Sequence, residues 1–103
     1  MTPLSNPGEF RVPISKVIAQ KMREISDEAA LDGQTDEFIS ALKYIDERLR
    51  TDPTTFGEDI VNFRMHRGTI KLAIRLPIAL EFGVYLDQKL VIIRSMTYMA
   101  AGN

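Results

Sequence analysis

Residues 59–93 read DIVNFRMHRGTIKLAIRLPIALEFGVYLDQKLVII, and the alternation in this stretch decides the fold. Successive side chains of a strand point to opposite faces, so Val61, Phe63 and Met65 share one side of an extended segment and Asn62, Arg64 and His66 the other. Arg67-Gly68 marks a tight turn. Ile70, Leu72 and Ile74 then alternate with Lys71, Ala73 and Arg75. Leu76-Pro77 interrupts the run, and the proline is expected to bend or bulge the chain there. Leu80, Phe82 and Val84 alternate with Glu81, Gly83 and Tyr85, and Asp87-Gln88 turns the chain once more. Leu90-Val91-Ile92-Ile93 is apolar on both sides and reads as the most buried strand.

Upstream of Asp59 the apolar period is that of a helix. Ser15 is placed to cap a first helix, in which Ile18, Met22, Ile25 and Ala29 recur at spacings of four and three and share one face. Asp32-Gly33 ends it. Thr35 is expected to cap a second helix with Asp36 and Glu37 in its first turn, where the helix dipole favours anions. Phe38, Leu42, Ile45 and Leu49 form its stripe, and Asp52-Pro53 stops it. Two helices joined by so few residues lie antiparallel. Before them, Glu9-Phe10-Arg11-Val12 alternates polar and apolar and stops at Pro13, which suits a short strand at a sheet edge.

The expected order is therefore βααβββ, an α+β fold in which a helical hairpin packs on one face of a small antiparallel sheet. A chain of 103 residues with 45% hydrophobic and 26% charged residues fits a single globular domain. Residues 1–8 read as a flexible arm, 9–99 as the domain and 100–103 as a short tail. The absence of cysteine excludes disulfides and thiolate metal sites and fits a reducing compartment. With one histidine and no spaced carboxylate cluster, neither a metal nor another cofactor is expected. No apolar run approaches the roughly 18 residues of a membrane helix, and residues 1–8 lack a signal-peptide pattern, so a cytoplasmic protein with no membrane partner is expected.

Net charge is −1, but it is unevenly spread: residues 1–57 carry seven Lys and Arg against ten Asp and Glu, and residues 58–103 carry six against four. A weakly basic sheet on an acidic helical support follows, if ordinary solvated surface does not explain the split. The sheet side left uncovered by the helices is expected to be polar, carrying Asn62, Arg64, His66, Lys71, Arg75, Glu81, Tyr85 and Arg94. His66 is the one side chain that titrates near neutrality without perturbation, and beside Arg64 and Arg67 it would stay neutral and could act as a base. Lys71 and Arg75, four apart on one strand and so roughly 13 Å apart, suit either a phosphate backbone or pairing with Glu81 across the sheet. Glu81 and Tyr85 read as an acid–base pair or as a solvated one. The same face could instead be closed by a homodimer, with Ala79 and Tyr85 in the interface.

Several segments carry a family resemblance: Phe10-Arg11-Val12-Pro13-Ile14-Ser15 leading into a helix, the second helix ending in LRTDPTTFGE (residues 49–58), a proline before an aromatic strand, Pro77 to Phe82, and a final apolar strand. Over residues 9–99 the chain resembles the RelE/ParE superfamily of bacterial toxin–antitoxin toxins. The resemblance implies a toxin or toxin homologue held by a cognate antitoxin, acting through its open sheet face on messenger RNA at the ribosome or on DNA gyrase. On that reading the polar sheet face supplies the target-binding set, Arg64, His66, Lys71, Arg75 and Arg94. For a ribosome-dependent endoribonuclease the catalytic candidates would be His66, Arg94 and Tyr98, groups that activate a 2′-hydroxyl, stabilise the phosphorane or protonate the leaving oxygen. Ala79 stands where active ribonucleases of the family have arginine, which leaves that set incomplete. The other expectation is a non-enzymatic interaction module that kept the fold and lost toxicity.

Overall fold

The computed structural model describes residues 9–64 and 67–100. The expected arm at residues 1–8 lies outside them, as do Met65, His66 and most of the expected tail, residues 101–103. Helix α1 spans Lys16–Leu31 and α2 spans Thr35–Thr51. Four strands follow: β1 Glu58–Phe63, β2 Gly68–Arg75, β3 Ile78–Tyr85 and β4 Leu90–Tyr98. They form one antiparallel sheet in the order β1-β2-β3-β4, with both helices packed against it. No helix among the described residues is long and apolar enough to cross a membrane.

The helices form where the apolar period placed them. Ser15 Oγ accepts the Ile18 amide at 3.1 Å, and Ile18, Ile25 and Ala29 are buried along α1. Helix α2 differs at its start. Thr35 is its first residue and not its cap; Gln34 takes the cap position without a side-chain hydrogen bond. The acidic first turn and Arg48 and Arg50 in the last turn supply the dipole complement instead. Phe38, Ala41, Ile45 and Leu49 bury the face that meets the sheet.

The strand inventory also differs from βααβββ. Leu76-Pro77 is a complete reversal and not a bend: Arg75 pairs with Ile78 across it, so the second half of the chain holds four strands. The N-terminal segment contributes only a parallel bridge, Arg11 to Leu90. Phe10 and Val12 are buried as the alternation required. The Phe10 amide, however, bonds to the Arg50 carbonyl at the end of α2, and Pro13 has no amide with which to extend a ladder.

The core is built from Ile78, Leu80, Phe82 and Val84 of β3 and Val91, Ile93 and Met96 of β4, under the two helical stripes. Phe56, from the turn after α2, stacks on Phe82 with centroids 5.8 Å apart and meets Tyr44 edge-on. Helix α1 lies against β4 and α2 against β3, which leaves β1 and β2 at the margin of the helical cover.

One long-range bond fixes the end of β4. The Tyr98 hydroxyl donates to Asp32 Oδ2 at 2.7 Å, tying the last strand to the C-terminus of α1. That hydrogen bond, then partial burial and the negative charges of Asp32, Glu28 and Glu37, push the phenol up to about 12. Because the folded value lies above that of a free tyrosine, the tether contributes fully below pH about 10 and is lost as pH rises through about 12. Spectrophotometric titration should therefore show one of the three tyrosines ionising late, and Tyr98→Phe should remove that late component. A Tyr98→Phe titration that matches the parent would refute the tether.

Candidate functional site

The pairing register decides which side chains meet the helices. Ile78, Leu80, Phe82 and Val84 fill the core, and their partners on β2 are Arg75, Ala73, Lys71 and Thr69. Cross-strand partners share a face. Lys71 and Arg75 therefore lie on the helix-covered side, and Ile70, Leu72 and Ile74 point the other way. This reverses the expected assignment of β2 and with it the expected polar open face. Sequence alternation ranked Ile and Leu as inward. At the margin of the helical cover, the long stems of Lys71 and Arg75 fill the space instead and carry their charges to its edge.

Both cations are engaged. Lys71 is 3% exposed, and its Nζ donates to Asp59 Oδ1 at 2.6 Å and to the Thr54 carbonyl at 3.1 Å. The Arg75 guanidinium lies 4.0 Å from the centroid of the Tyr44 ring. Neither pairs with Glu81, which sits opposite Leu72 on the other face and meets Arg94 at 3.4 Å. Arg64 is exposed in the turn after β1. His66 lies outside the described residues, so its expected role as a base is not located. Tyr98, on the helix side opposite Ile78, is held by Asp32. Arg94 and Tyr98 thus have separate partners, and Arg64, Lys71, Arg75 and Arg94 do not converge on one point. Glu81 and Tyr85 do not form an acid–base pair: Glu81 faces Arg94, and the Tyr85 ring folds over Gly83, where a Cβ would stand 2.9 Å from Cε2.

Two surfaces remain. The first is the uncovered sheet face, which carries exposed Val61, Phe63, Leu72, Ile74 and Ile92 around the single Glu81–Arg94 pair. The second is a groove of about 510 Å³ between the start of α1 and the middle of β4. Val17, Ile18 and Met96 give it an apolar lining, and Lys16 and Lys21 outnumber Glu24 around it, with the Glu81-paired Arg94 alongside. No family model, curated protein or solved structure matches this chain.

The groove runs beside an open strand edge. β4 is terminal in the sheet, and among the described residues its outer side is bridged only by Arg11, at Leu90. Strand edges of this kind accept an added strand from another chain. Of the residues that line the groove, the sequence marks Arg94 as a candidate and Ile18 as core; Val17 and Met96 go unmarked, although one signal points to Val17. Val17 stands outside the Ile18, Met22, Ile25 and Ala29 stripe, and it is 77% exposed.

Proposed function

We propose that this chain is a RelE/ParE-like protein-binding module that does not cleave RNA. The separation of its cations carries this reading. In-line cleavage of a phosphodiester needs several basic groups within hydrogen-bond reach of one phosphate. Here Lys71 is buried on the helix-covered side against Asp59, Arg75 lies exposed at the margin of that side over the Tyr44 ring, and Arg94 pairs with Glu81 of the other face. The LRTDPTTFGE turn, the helical hairpin and the following meander support a chain of this type.

The groove supports the identity of the partner. An amphipathic segment with carboxylates beside its apolar residues would place those residues on Val17, Ile18 and Met96 and its charges near Lys16 and Lys21. The groove's lining thus supports an antitoxin-like protein, the partner implied by the family resemblance, as its occupant.

The test pairs a cleavage assay on translating ribosomes with induced expression in a bacterial host. The expected result is intact messenger RNA, with Arg94→Ala indistinguishable from the parent. RNA cleavage that Arg94→Ala abolishes would overturn the reading, and growth arrest with intact RNA would move it to the gyrase-directed branch of the family. Binding is tested with the product of a short reading frame abutting this one. Lys16→Glu with Lys21→Glu should weaken it by about tenfold or more, and more so at low salt.

A further inference from the structure

We propose that the uncovered sheet face joins two copies of this chain, face to face, in a two-fold dimer. The inference does not rest on the proposed function and concerns a different surface from the groove, with Arg94 at the boundary of both.

A sheet has two faces, and a stable layer arrangement covers both where both are apolar. In this chain the two helices are spent on one face. On the other, Ile74 is 56% exposed and Leu72 41%; further along, Val61 and Phe63 of β1 stand opposite Ile70 and Gly68 of β2, and Ile92 of β4 stands opposite Gly83 of β3. Scattered surface leucines need no explanation, but a contiguous set on neighbouring strands does.

Three properties of the face fit an identical partner. The first is area. Four strands about 4.8 Å apart and eight residues long span roughly 500 Å². Two such faces pressed together remove about 1,000 Å² from water, which lies above most crystal-packing contacts and at the lower bound for a biological interface. The second is shape. Ala79 and Gly83 on β3 are small, and Tyr85 lies down over Gly83 instead of standing upright, so the face is low enough for a second sheet to approach to about 10 Å. The third is charge. Arg94 is offset by Glu81 within the same copy, Glu58 sits at the rim, and the whole chain carries only −1, so two copies meet without strong repulsion. A polyanion would find no net positive charge here. The product is a four-layer stack with helices outside and two sheets within.

The test is sedimentation equilibrium of the full chain over a dilution series, with the double variant Leu72→Lys, Ile74→Lys and the groove variant Val17→Glu. All three positions are exposed, and circular dichroism and thermal unfolding check that the variants stay folded. The expected result is a dimer for the parent and for Val17→Glu, and for the double variant a dissociation constant raised by about 100-fold or more. A parent that is monomeric across the series would overturn the proposal. So would a dimer that the double variant leaves intact, or one that Ile60→Lys on the β1 edge dissolves instead.

Discussion

Asp59→Ala should destabilise the domain by about 2–3 kcal/mol, although Asp59 itself is a half-exposed residue on an edge strand. The Lys71 side chain is 4% exposed, while that of Asp59 is 56% exposed. Deleting the carboxylate leaves an ammonium that has lost its counter-charge and keeps the Thr54 carbonyl as a partner. Removing one member of a fully buried pair costs about 3–5 kcal/mol, and the solvent around Asp59 lowers that figure. Urea unfolding reads the loss as a drop in midpoint at unchanged slope. The sharper measurement is the double variant. Lys71→Met in the Asp59→Ala background replaces the stranded charge by an apolar chain of similar length and should recover most of the stability. A double variant as unstable as Asp59→Ala alone would show that the buried ammonium is not the cause.

Gly57→Ala should cost about 3 kcal/mol for the addition of one methyl group. Gly57 has φ +80°, in the left-handed region where a Cβ is strained. That Cβ would also stand 2.5 Å from the Leu72 carbonyl oxygen and 2.9 Å from Ala73 Cβ. The obstruction is chiefly backbone, so β2 would have to move away from the turn that brings Phe56 onto Phe82. A Gly33→Ala variant is the internal comparison. Gly33 has φ +69° with no atom near the added Cβ, so it reports the conformational cost alone and should lose about 1 kcal/mol. Equal losses at the two positions would rule out the close approach to β2 as the source of the difference.

The helical hairpin was legible because its two stripes, Ile18 to Ala29 and Phe38 to Leu49, are surrounded by charged residues and admit one reading. β3 was legible for the same reason: Leu80, Phe82 and Val84 are inside, as their alternation indicated. β2 was not. Its two faces read Ile70, Leu72, Ile74 and Lys71, Ala73, Arg75, and hydropathy alone prefers the first set. The two-residue reversal at Leu76-Pro77 decides otherwise, because it locks Arg75 opposite Ile78 and so commits every second residue of β2 to the side of β3 that the helices cover. Reading that proline as a bend also hid the fourth strand. The candidate site followed the same error. Alternation alone puts Lys71 and Arg75 on an open basic face; the register puts both on the helix side, Lys71 buried against Asp59 and Arg75 exposed over Tyr44 at the margin. The pairs that organise the surface, Glu81 with Arg94 and Asp32 with Tyr98, join residues whose proximity only the register and the helix placement create.

The sheet is strictly sequential, each strand pairing with the one before it, and both helices precede it in the chain. During synthesis the hairpin of α1 and α2 therefore leaves the ribosome with Ile25, Phe38, Ile45 and Leu49 facing water, and nothing can shelter them until β3 and β4 have been made. Once those strands emerge, neighbour-to-neighbour zippering needs few distant encounters, which favours rapid closure. The vulnerable interval for this protein runs from the emergence of Leu49 to the emergence of Met96, when a helper that shields apolar helices would matter most.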